Sequence, residues 1–150
     1  MEALAEQLIA TYLTRGGKVF IAPQYSVPGD EEHSEWSCPD FVALSFEKPG
    51  VPEVIIVEVT TAADPANLIR KLKQRENQWH DRIRAKLIAD GIISDRWSFR
   101  FLSFVRRHNL EECQRSFSPA DNVFFAALED ATFSWEYWDK RLTQLPWAHP

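Results

Sequence analysis

The sequence predicts an α/β domain: a central mixed sheet flanked by helices, in the order α-β-β-β-α-β, followed by a C-terminal α/β extension. Three observations predict it. The short apolar runs Phe41–Phe46 and Glu53–Thr61, bounded by Pro and Gly, have the length and composition of strands. Glu2–Leu13 and Pro65–Asp90 repeat apolar residues at three- and four-residue steps, as helices with one buried face do. Val54–Val57 is apolar at every position, the mark of a strand buried on both faces and therefore covered by helices above and below.

From the N-terminus, Leu4, Leu8, Ile9 and Tyr12 give the first helix its apolar face, and Gly16-Gly17 supplies a left-handed cap. Lys18–Ala22 is a short strand stopped by Pro23. Ser26–Ser37, with Asp30, Glu31, Glu32 and Glu35, is an acidic connection. Phe41–Phe46 and Glu53–Thr61 form a hairpin through the turn residues Pro49, Gly50 and Pro52. Pro65 suits a first helical turn. The helix it opens buries Leu68, Leu72, Trp79, Ile83 and Leu87, and Gly91 ends it. Arg96–Val105 is a fourth strand, Leu110–Arg115 a short helix, Asn122–Leu128 a fifth strand and Ser134–Leu145 a last helix.

One domain is expected for 150 residues, since a domain usually takes roughly 100–200. No apolar run approaches the roughly 18 residues of a membrane span. Met1–Ala10 carries Glu2 and Glu6 instead of a basic stretch and an apolar block, which predicts no signal peptide and a cytoplasmic protein. Cys38 and Cys113 are too few for a disulfide framework and are expected to be buried free thiols. The net charge is −5, but Pro65–Arg115 holds twelve Lys/Arg against six Asp/Glu. One face can therefore be positive on an acidic protein, either to meet a polyanion or simply as a solvated helix flank.

Two acids stand out. Glu58 comes directly after Val54–Val57, and a carboxylate at the end of a buried strand needs a cation or hydrogen bonds. Asp40 opens the preceding strand after Pro39. Across a hairpin the two carboxylates converge, and at that range they raise one pKa or hold a divalent ion between them. Oxygen ligands suit Mg²⁺ or Mn²⁺ better than Zn²⁺. The alternatives are a turn or cap role for Asp40 and a structural ion pair for Glu58, with Lys71 or Arg100.

Pro39-Asp40, then a turn, then Glu58-Val59-Thr60 after an apolar strand resembles the motif of the PD-(D/E)xK nuclease superfamily. The element order from Glu2 to Val105 is similar to that superfamily's restriction-endonuclease-like core. The resemblance implies Asp40 and Glu58 as metal ligands, with the Val59 carbonyl as a third, and hydrolysis of a phosphodiester aided by Mg²⁺ or Mn²⁺. In the family a Lys two residues after the Glu positions or activates the attacking water. Here Thr60 stands in that place, able to orient a water but unable to supply positive charge.

The helix after the third strand offers substitutes. With Leu68, Leu72, Trp79 and Ile83 turned to the sheet, Lys71, Arg75, Gln78 and Arg82 fall on one flank at steps of four, three and four. Lys71, nearest the helix start, is the candidate migrated amine. Arg75, Gln78 and Arg82, with Arg106 and Arg107 past the fourth strand, are candidate nucleic-acid contacts. The other reading of this flank is a solvated shoulder whose long stems cover apolar surface. Glu2 or Glu6 is either a further site acid, as an acid on this helix is in some relatives, or plain exposed charge. The Trp135, Tyr137, Trp138 and Trp147 cluster suggests core or a homodimer contact. His33, His80, His108 and His149 show no ligand spacing. The expected function is a metal-dependent nuclease acting on DNA in repair, recombination or defence. The alternative is a degenerate relative that binds nucleic acid or protein without cutting.

Overall fold

The computed structural model describes residues 2–25 and 38–133. Five strands lie side by side in chain order: β1 (Val19–Pro23), β2 (Phe41–Ser45), β3 (Glu53–Val59), β4 (Ser98–Val105) and β5 (Val123–Ala127). β1, β2 and β3 are antiparallel, whereas β3, β4 and β5 are parallel. The connections explain the change of sense. A tight turn with Gly50 at φ 75° joins β2 to β3, and only antiparallel neighbours accept so short a link. Helical crossovers join the parallel strands.

Those crossovers cover one face of the sheet. α2 (Ala66–Lys73), a π-helical turn (Glu76–His80) and α3 (Asp81–Ala89) connect β3 to β4, and α4 (Leu110–Arg115) lies between β4 and β5. Leu68, Leu72, Trp79, Ile83, Leu87 and Cys113 pack there on Val54, Ile56, Phe101 and Val105. α1 (Glu2–Thr14) and α5 (Leu128–Phe133) cover the other face, where Ile9, Tyr12, Leu13 and Ala131 meet Ile55, Val57, Val59 and Phe104. β3 is thus sandwiched, as its unbroken apolar run predicts. Alternation along it sends Val54, Ile56 and Glu58 toward α2, and Ile55, Val57 and Val59 toward α1.

Several expectations change in detail. β2 ends at Ser45 and β3 at Val59, one and two residues short of the expected Phe46 and Thr61. Pro65 is the N-cap residue and not the first helical one, with Asp64 Oδ1 accepting from the Ala66 amide at 2.8 Å. The long helix is broken at Gln74 and contains the π turn, which shifts the phase of α3 by about one residue. The fifth strand stops at Ala127 and Leu128 begins a helix. Cys113 is buried, but Cys38 is exposed, because it precedes β2 instead of entering the core. Ser26–Ser37, the helix expected over Ser134–Leu145, the aromatic cluster from Trp135 to Trp147, His33, His149 and the Glu2 side chain lie outside the described residues. No helix among the described residues is long and apolar enough to cross a membrane.

Candidate functional site

The β2–β3 register creates the site. Phe41 lies opposite Val57, so one step further Asp40 lies opposite Glu58. There side chains take over from the backbone ladder. The Asp40 amide donates to Glu58 Oε1 at 3.1 Å, and the Val59 amide donates to Asp40 Oδ2 at 2.7 Å. Each carboxylate therefore satisfies an amide on the other chain segment. On the far side, the Gln24 amide donates to the Asp40 carbonyl at 2.9 Å, with Gln24 in the left-handed region at φ 48°. Toward β4, Glu58 is in register with Ser103. Gln24, Asp40, Glu58 and Ser103 form a row across one end of the sheet.

Electrostatics single out Glu58. Burial, then the nearby charge of Asp40, pushes its carboxyl up from 4.5 to about 8. The Asp40 amide and the Lys71 charge oppose this shift, and Glu6 adds a smaller upward push. Glu58 consequently keeps its proton at neutral pH unless a cation displaces it. Lys71, half-buried on α2, makes no direct ion pair among the described residues, yet its field acts on Glu58. Glu6 brings the first helix within electrostatic reach of the same carboxyl.

The other candidate residues divide by location. Val59 meets Asp40 through its amide, while its side chain is buried against α1. Thr60 extends the ladder by donating its amide to the Phe104 carbonyl at 3.0 Å. Its hydroxyl accepts from the Ala62 amide at 3.1 Å, which engages it in the adjoining turn. Arg75 is drawn elsewhere: its guanidinium bonds the Leu72 carbonyl and both the carbonyl and carboxylate of Asp121, near the Phe101 and Phe117 rings. Gln78 is half-buried within the π turn. Arg82, half-buried on α3, has a buried Nη1 with no hydrogen-bond partner among the described residues.

No family model matches the chain, and no curated protein or solved structure matches it.

Past β4, Arg106 is exposed and lines a cavity of about 430 Å³ with Thr61, Leu4, Leu8 and Leu128. Arg107 is held by α5: its amide donates to both Glu129 carboxylate oxygens at 2.9 and 3.0 Å, and its guanidinium pairs with Asp130. The basic residues named from the sequence thus separate into groups. Lys71 acts on Glu58 through its charge, Arg75 and Arg107 have acidic partners, and Arg82 and Arg106 make no ion pair among the described residues.

Arg100, an alternative partner for Glu58, pairs instead with Glu53 at 2.7 Å. Among the described residues, no three His, Cys, Asp or Glu side chains gather as a metal site. Two carboxylates nevertheless match what Mg²⁺ takes from a protein, since it keeps several waters and binds through one or two carboxylates. Ser103 is the site residue that sequence reasoning missed. Its signal is present in the chain: a lone small polar residue inside Phe101-Leu102-Ser103-Phe104-Val105.

Proposed function

We propose that this chain is a metal-dependent nuclease of the PD-(D/E)xK kind, with a restriction-endonuclease-like core, hydrolysing phosphodiester bonds in DNA. One observation carries the reading: Asp40 and Glu58 face each other at the end of adjacent strands, each anchored by a backbone amide, with the charge of Lys71 acting on Glu58. The α-β-β-β-α-β order of the first four strands and their helices also supports it.

Asp40 and Glu58 would hold Mg²⁺ or Mn²⁺, with the Val59 carbonyl as a third donor. When bound, the ion supplies Lewis acidity toward a phosphoryl oxygen. Lys71 keeps positive charge near Glu58 and serves as the electrostatic partner of the developing phosphoryl charge, the part the family gives to its motif lysine. The Thr60 hydroxyl, which accepts from Ala62, retains its own proton to donate to a water. Arg82 and Arg106, which make no ion pair among the described residues, are the proposed contacts to a phosphate backbone.

A second reading is favoured by Thr60. A neutral residue in the lysine's place, already engaged by a turn, suits a module that binds nucleic acid or protein without cutting. Labelled single- and double-stranded DNA incubated with Mg²⁺ or Mn²⁺ separates the two. Cleavage that disappears in Asp40→Ala and Glu58→Ala, and weakens in Lys71→Ala, supports the nuclease. Metal-independent binding with no cleavage of any substrate supports the module.

A further inference from the structure

Four residues with polar side chains are buried among those described: Ser45, Glu53, Ser103 and Asn109. Of these, Ser103 is the one with a side-chain oxygen fully sealed from solvent and lacking a hydrogen bond among the described residues; the residue is 1% exposed. A bare buried hydroxyl weakens a fold, and alanine would fill the same space without that cost. The position of Ser103 suggests what it is for. β3 and β4 are parallel and in register at Glu58 and Ser103, so the two residues are neighbours about 4.8 Å apart along the hydrogen-bonding direction. Alternation puts them on one face, where Ile56 and Phe101 precede them under the α2–α3 helices. Glu58 Oε1 is occupied by the Asp40 amide, whereas Oε2 takes no hydrogen bond among the described residues. A hydroxyl carries one proton to give and can rotate to give it.

We propose that Ser103 is a positioning residue for a divalent-cation site, donating its hydroxyl to Glu58 Oε2 when Glu58 holds the ion. Amide on one oxygen and hydroxyl on the other would then fix the carboxylate's plane, as the outer partners of metal ligands do. The inference rests on the reading of Glu58 as a cation ligand, but not on any cleavage.

Calorimetric titration with MnCl₂ alone, without DNA, tests it in wild type, Ser103→Ala, Ser103→Cys and Ser103→Thr, with thermal melts in the absence of metal. Ser103→Ala should melt no lower than wild type yet bind Mn²⁺ roughly tenfold more weakly. Ser103→Cys, close in size but a poor donor, should lose affinity likewise. Ser103→Thr, which keeps the hydroxyl, should restore it. Wild-type affinity in the alanine and cysteine variants overturns the role of Ser103 while leaving the cation site standing. A wild-type protein that takes up no Mn²⁺ overturns both.

Discussion

Glu58 Oε1 accepts the Asp40 amide at 3.1 Å, and Asp40 Oδ2 accepts the amide of Val59, the next residue in β3, at 2.7 Å. The exchange locks two acids side by side at the place where the β2–β3 ladder runs out. Neither can swing into solvent without freeing a backbone donor that is half-buried. The hydrogen bonds stabilise the charged forms, but they do not overcome desolvation and mutual repulsion, so the Glu58 carboxyl remains near 8. That residual imbalance generates two measurable consequences.

The first is a pH dependence of stability. Unfolded, Glu58 titrates near 4.5; folded, near 8. Between these values the folded chain binds more proton than the unfolded chain, so this contribution is fully present below pH 4.5, declines through the window and is lost above pH 8. The slope reaches at most about 1.4 kcal/mol per pH unit. The lowered carboxyls of Asp90 and Asp121 act oppositely, and only in acid. Urea midpoints from pH 5 to 9 should fall for wild type and stay nearly flat for Glu58→Gln. Equal slopes in both would show that Glu58 is not the titrating group.

The second is that cation and proton compete. Mn²⁺ should raise the melting temperature more at pH 8 than at pH 5, because ionised Glu58 is the form that binds. Asp40→Ala should remove this gain. A metal effect independent of pH would place the ion elsewhere.

Much of the site is legible in the chain, and the losses have physical causes. Val54–Val57 marks the central strand because an apolar run has no solvent face to reveal, and Glu58 stands out as the charge that ends it. The Lys71–Arg82 ridge fails as a ridge because it requires uniform 100° steps, and the π turn at Glu76–His80 breaks them. No residue in Glu-Asn-Gln-Trp-His announces that turn. The partner of Arg75 is hidden for a different reason: Asp121 is 46 residues away and meets it only once α4 and β5 are in place. Ser103 is readable as an oddity in an apolar strand, but its alignment with Glu58 needs the parallel register, which local sequence does not carry.

Arg75 and Arg82 should therefore part company in experiment. Arg75→Met removes the guanidinium's bonds to the Leu72 carbonyl and to Asp121 and should lower the urea midpoint modestly. The folded variant should bind DNA as wild type does. Arg82→Met removes a guanidinium whose buried Nη1 has no partner, so stability should hold or rise. Its DNA affinity should drop, with the salt-dependence slope smaller by about one. The reverse pattern would return Arg75 to the binding face.

β3 carries an acid at each end, and the fold treats them differently. Glu53, 4% exposed, touches two cations: Arg100 Nε at 2.7 Å and Lys48 Nζ at 3.3 Å. The Arg100 guanidinium also lies 5.2 Å from the centre of the Phe124 ring. That is how a buried carboxylate is neutralised for stability alone. Among the described residues Glu58 has no cation in contact, only the field of Lys71. Arg100→Met should then cost about 3 kcal/mol by stranding Glu53 with the exposed lysine, and Glu53→Gln in the same chain should recover much of it. Glu58→Gln, an isostere of the protonated acid, should cost little at pH 7. Urea denaturation of these variants beside wild type decides the matter. If Glu58→Gln destabilises as severely as Arg100→Met, Glu58 is a structural acid like Glu53, and nothing would remain to reserve it for a cation.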